Sequence, residues 1–181
     1  MSRKIEVVPY DPSWVRKYET EAEKLIKLFG YHLMEIHHIG STAIPDMAAK
    51  PTIDILGVVK DIEAVDEMDQ AMQEIGYQPK GENGIPGRRY FQKIVGEVHV
   101  FHVHTFEDGH PEIHRLLNFR DYLRAHPDAA SEYQALKVYL AAKFTFEPDK
   151  YTEGKNALIQ QIDQRAIDWR ASERNKTNNA G

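Results

Sequence analysis

A single acid, Asp54, stands inside the apolar run Thr52-Ile53-Asp54-Ile55-Leu56-Gly57-Val58-Val59. Acids are depleted in strands, and a charge buried in one is costly unless a partner or a metal meets it. Asp54 therefore reads either as a metal ligand or general base, or as a structural acid bonded to an arginine or a helix N-terminus. Upstream lies Gly40-Ser41. Backbone N–H groups and a hydroxyl in such a turn could hold a phosphate, and an ordinary strand-ending turn is the plainer alternative. His102 and His104 alternate along a later run, so both imidazoles leave one strand face. They could share a divalent metal or bind an anion, or simply line a polar sheet face. His38 ends the run before the Gly-Ser turn and could touch a ligand there or sit hydrogen-bonded in the core. Lys50 and the Arg88-Arg89 pair flank strand ends and could neutralise phosphates, or be ordinary surface charges.

The elements that position these residues follow from periodicity. Asp11 and Pro12 open a helix that Gly30 stops, with Val15, Tyr18, Ala22, Leu25, Ile26 and Phe29 at helical spacing. Leu33 to Ile39 reads as a strand, and Thr52 to Val59 as a second, central one, apolar on both faces. A short helix is expected over Ile44 to Ala49, just after the Gly-Ser turn, which would aim its N-terminus at a bound phosphate. Asp61 caps one helix ending at Gly76. Tyr77 to Lys80 is a short edge strand, since Pro79 cannot donate to a ladder. Arg88–Val95 and Val98–Phe106 form a hairpin about Gly96-Glu97. Three helices follow, opening at Pro111, after His126-Pro127, and near Thr152. The order predicts an α+β fold, a small mixed sheet packed by helices with further helices at the C-terminal end. One domain is expected over residues 1–170, with a disordered polar tail over 171–181.

Composition bounds the chemistry. The 181 residues carry a net charge of -5, which argues against general nucleic-acid binding but not against a small anion held by a few cations. There is no cysteine, so thiolate catalysis and Cys-ligated zinc are excluded. No apolar run is long enough for a membrane span and the start lacks a signal-peptide core, so a cytoplasmic protein is expected.

The run His38-Ile39-Gly40-Ser41-Thr42-Ala43-Ile44-Pro45, with Ala49-Lys50-Pro51-Thr52-Ile53-Asp54-Ile55, resembles the signature of the GrpB family. The resemblance continues through His102-Val103-His104, Phe119 to Pro127, Tyr133 with Leu136-Lys137, and Tyr151-Thr152 with Lys155. It spans the chain from about Val7 to Trp169. It implies a nucleotidyltransferase-like fold, in which Gly-Ser is followed on the next strand by Asp-x-Asp. Here those two acid positions fall on Thr52 and Asp54, and the strand that would supply a third acid offers His102 and His104. The resemblance implies that Gly40, Ser41, Thr42, Lys50 and Arg88 hold the phosphates of a nucleotide or phosphorylated metabolite. Asp54, His102 and His104 would ligate a divalent ion (Mg²⁺, Mn²⁺ or Zn²⁺), with Asp54 and His38 catalytic. One carboxylate and two imidazoles suit a softer ion better than paired Mg²⁺. The expected reaction is metal-dependent transfer of a nucleotidyl or phosphoryl group to a small acceptor. The alternatives are a catalytically degenerate binding module on the same fold and a single-metal phosphoesterase.

Overall fold

The computed structural model describes residues 3–181. The architecture is α+β, as expected. Ser13–Phe29 forms α1, and the Asp11 carboxylate accepts the Ser13 amide at its start. Gly30 then turns the chain out of the helix with φ +53°. Strands β1 (Leu33–Ile39) and β2 (Ile53–Val59) run antiparallel. Two short helices, α2 (Ile62–Asp66) and α3 (Asp69–Glu74), replace the single helix expected between Asp61 and Gly76. The break at Glu67-Met68 lets both Val65 and Met72 reach full burial. Then come β3 (Tyr77–Pro79), β4 (Arg89–Val95) and β5 (Val98–Glu107).

The sheet order is β1-β2-β5-β4-β3. β5 lies parallel to β2 and antiparallel to β4, and β1 and β3 are the two edges. The register that sets Asp54 opposite His102 and Leu56 opposite His104 places the acid and both histidines on one sheet face. The same alternation sorts β2. Ile53, Ile55 and Val59 pack with Trp14, Leu25 and Phe29 of α1. Leu56 and Val58 pack on the opposite face with Phe106 and Ile113. Asp54 shares that second face and lies at the end where the chain enters the strand.

Three helices cover this face: α4 (Pro111–Ala125), α5 (Pro127–Lys143) and α6 (Pro148–Asn179). Each opens on a proline at its first turn, where a missing N–H costs nothing. α6 continues through residues 171–179, where a disordered tail was expected. No Pro or Gly interrupts Ala171 to Ala180, and Lys176 pairs with Glu173 one turn away, so the helical backbone propagates from its packed part. No helix among the described residues is long and apolar enough to cross a membrane.

The helix expected over Ile44–Ala49 does not form. A 3₁₀ turn occupies Ser41–Ala43 instead, and Asp46 adopts φ +64° between Pro45 and the Val8–Ala49 bridge. Side chains from α4 and α5 satisfy this irregular backbone. Arg120 donates to the His38 carbonyl, Arg124 to that of Ala43 and Lys137 to that of Ala48, while Gln134 accepts the Ala48 amide. Buried backbone groups need partners, and here the second layer supplies them.

Gly154 marks the α5–α6 contact. A Cβ there would lie 2.6 Å from Leu140 Cδ2 and 3.0 Å from Cδ1, and Leu140 is buried. Gly154→Ala gains up to about 1 kcal/mol of helix propensity but overpacks the seam at a cost of about 1–3 kcal/mol. We expect a lower midpoint in urea; a higher one would mean that Leu140 repacks freely.

Candidate active site

The expected residues assemble in part. Asp54 projects from β2 with its Oδ1 3.2 Å from His104 Nε2 and 3.6 Å from His102 Nδ1. The far nitrogens are engaged as well. His102 Nε2 lies 2.9 Å from His99 Nδ1, and Arg88 reaches His104 Nδ1 at 3.4 Å. A guanidinium can only donate, so His104 Nδ1 accepts and its Nε2–H donates to Asp54. Burial raises the Asp54 carboxyl, but the two imidazoles outweigh it and hold the group well below the ordinary carboxylate range. Thr52, at the expected first-acid position, donates its hydroxyl to the His99 carbonyl at 2.9 Å.

Gly40 closes in on this carboxylate. Its φ is +74°, and a Cβ there would sit 2.7 Å from Asp54 Oδ2. Gly40→Ala combines left-handed strain with a clash against the site's floor. We expect a loss of about 2 kcal/mol or more in unfolding free energy. Urea denaturation checks it, and an unchanged midpoint would show that Asp54 moves aside at no cost.

Asp54, Gly40, Ser41, Lys50, Thr52 and His102 line a cavity of about 170 Å³. Its opposite wall comes from the C-terminal helices: Phe119, Tyr133, Lys137, Tyr151 and Lys155. Tyr133 and Lys137 lie one turn apart on α5, and Tyr151 and Lys155 one turn apart on α6. Each ammonium lies over a tyrosine ring, at 4.8 Å for Lys137 on Tyr133 and 4.5 Å for Lys155 on Tyr151. Lys50 shares the Tyr151 ring at 5.0 Å. Burial, then the neighbouring lysines, push Lys137 down to about 7 and Lys155 down to about 8. Burial also lowers Lys50, with Arg3 adding to the effect. Burial raises Tyr133 to about 12 against a hydrogen bond with Ser41.

Other expected site residues lie elsewhere. His38 is buried behind the turn, stacked on Tyr18 at 4.8 Å and bonded to the Thr42 hydroxyl at 2.8 Å. Burial and then Arg124 push it down to about 4, so it is a neutral core histidine at pH 7. His38 and Thr42 hold the turn's shape and do not line the cavity. Arg88 donates to the Glu82 and Asn83 carbonyls besides His104; it orients a histidine, where contact with phosphate was expected. Phe119, Tyr133, Lys137, Tyr151 and Lys155 stand in the stretches that carry the family resemblance, without an assigned role there. The available signal was the repeated Tyr-x-x-x-Lys spacing, which sets a lysine in each helix's buried stripe.

The donor set falls short of a metal cage. There is one carboxylate, both imidazoles contact its same oxygen, and among the described residues no three His, Asp or Glu side chains are placed to hold an ion. What the cavity offers is three lysines against one acid whose charge two histidines already face.

Comparison with known proteins agrees on the fold. A family model described as GrpB protein matches residues 4–165. The UPF0157 protein YqkA of Bacillus subtilis is 49% identical over 173 residues, covering 96% of this chain and 50% of that protein, so the chain spans about half the length of this relative. The crystal structure of conserved protein GrpB from Enterococcus faecalis is 40% identical, with a TM-score of 0.86 over 90% of this chain and 98% of that one. The Cid1 poly(U) polymerase with Mg 3′-dATP bound matches in fold alone, at 14% identity and a TM-score of 0.51, covering 77% of this chain and 43% of that one.

Proposed function

The chain belongs to the GrpB family, and from that premise we propose that its cleft binds the phosphates of a nucleotide or phosphorylated metabolite and transfers a nucleotidyl or phosphoryl group to a small acceptor. One observation carries this reading: Lys50, Lys137 and Lys155 converge on a cavity whose floor is Asp54 and whose rim is Gly40-Ser41. Ammonium groups over a phosphate chain stabilise the charge that grows on the leaving phosphate. The acceptor oxygen bonds to phosphorus as the phosphorus–oxygen bond to the leaving phosphate breaks. The acceptor's hydroxyl donates a hydrogen bond to the Asp54 carboxylate, which the histidines fix in place, and its proton leaves to solvent as the new bond forms. Should a divalent ion join, it would neutralise phosphate charge beside Asp54; the group that orients the acceptor and the phosphate-facing cations are the chain's own side chains.

A second reading, a phosphate-binding module without turnover, is favoured by Thr52, whose hydroxyl is tied to a backbone carbonyl where an acid would be wanted. The test is a melting-temperature titration with inorganic pyrophosphate and nucleoside triphosphates, with and without Mg²⁺, Mn²⁺ and Zn²⁺, followed by ³¹P NMR of the mixtures. A ligand at 100 times its Kd adds about 2.7 kcal/mol of stability. A saturable rise with new phosphorus resonances supports transfer, and a rise without products supports the module. No rise with any phosphate sinks both.

A further inference from the structure

Beside the lysine cavity lies a second one of about 190 Å³ that shares Gly40, Asp54, Phe119 and Tyr133 with it. Its chemistry is different. Ile39, Leu116, Phe119 and Ile159 make most of its surface, and among the described residues no lysine lines it. The two histidines are divided between the chambers, His102 facing the lysines and His104 the apolar side, with Asp54 common to both. The polar end of the second chamber is Arg115, held by Glu112 at 2.7 Å and by Asp163 Oδ2 at 3.4 Å. Asp163 lies one turn beyond Ile159 on α6, and its other oxygen, Oδ1, is buried with no hydrogen-bond partner among the described residues. Burial, the largest influence, raises this carboxyl. Asp163 supports Arg115 from outside the chamber's lining; the acceptor that both chambers share is Asp54, and its partner there would be an N–H or O–H donor. Glu112 and Asp163 outnumber Arg115, so a second phosphate is disfavoured there.

We infer that the apolar chamber seats a ring, aromatic or alicyclic, bearing an N–H or O–H donor, while the lysine chamber holds phosphates. The inference rests on the phosphate reading only for the first chamber. The ring is carried either by the phosphorylated molecule itself or by a separate acceptor, and both place it against Asp54 where the chambers meet. Ligand pockets of this kind pair apolar walls with few polar anchors.

The test compares inorganic tripolyphosphate, nucleoside triphosphates, and phenyl, indolyl and cyclohexyl alcohols added at saturating tripolyphosphate, by calorimetry. For a ring on the same molecule, a nucleoside triphosphate should bind at least about tenfold tighter than tripolyphosphate. For a separate acceptor, a ring alcohol should give its own saturable heat on top of bound tripolyphosphate. In either case Ile159→Trp, which fills the chamber from α6, should remove the ring-dependent binding and leave tripolyphosphate affinity within about twofold. Leu116→Phe, filling it from α4, repeats the test in case the first variant is unstable. The inference is overturned if no ring compound adds anything to tripolyphosphate, if filling the chamber leaves ring binding intact, or if both variants weaken tripolyphosphate equally. Ring binding without tripolyphosphate binding would overturn the phosphate reading and leave this one standing.

Discussion

Lys137→Met is expected to yield a protein that is more stable than wild type at pH 7 yet binds pyrophosphate about 10- to 100-fold more weakly. Lys137 is 2% exposed and donates to the Ala48 carbonyl at 2.8 Å. Its pKa falls to about 7, first through burial and then through Lys155 and Lys50, from 10.5 in the unfolded chain. Between those values the unfolded state holds a proton that the folded state lacks, so stability rises with pH across the window and is lowest at and below pH 7. Methionine removes this penalty and fills similar space. It also loses the hydrogen bond to Ala48, worth about 1.5–3 kcal/mol when charge-assisted. The net gain should be about 1–2 kcal/mol at pH 7 and should shrink as pH approaches 10. Melting curves at three pH values measure it. The binding loss follows from removing one charge-assisted contact to phosphate. A variant that melts lower at pH 7, or binds pyrophosphate as wild type does, would show that Lys137 is merely a strut for the 44–49 segment.

Asp54→Asn should have the largest effect on turnover, a drop of about 10²-fold, from losing the carboxylate that orients the acceptor hydroxyl. The same change should tighten pyrophosphate binding severalfold, because it removes the acid among the lysines. The amide oxygen still accepts from His104, so the fold should survive with a modest shift in melting temperature. Opposite movements of binding and turnover distinguish a participant in the reaction from a structural acid, whose loss would impair both together. Should wild type form product and the Asn variant match its rate, the proposed role of Asp54 would be wrong. In the module reading there is no turnover to lose, and only the tighter binding remains.

The sheet was largely legible because alternation is a local property. β1 was predicted at its observed bounds and β2 to one residue, and the shared face of His102 and His104 follows from counting by twos; that Asp54 joins that face is set by the β2–β5 register. The segment after Gly40 was not legible, because its backbone partners, Arg120, Arg124, Gln134 and Lys137, lie some eighty to ninety positions away. A propensity argument sees Ile44–Ala49 alone and expects a helix. For His38 the residues left a ligand contact and a hydrogen-bonded core position open, and only the packing of α1, which brings Tyr18 over its ring, decides for the core. Lys137 was named only within the resemblance and given no role, because a lysine on a helix ordinarily belongs to a solvated face. Lys137 departs from that rule where the cavity's chemistry demands it.

The cavity wall is shared among distant stretches of chain, and this bears on the order in which a ribosome delivers them. Lys50 and Asp54 emerge early, His102 midway, Lys137 later and Lys155 last. A nascent chain that has completed its sheet holds the floor of the site and one of its three ammonium groups. It should have little hold on a phosphorylated metabolite until the start of α6 is laid down. On the phosphate reading, binding competence would therefore be a late event in the synthesis of this stretch.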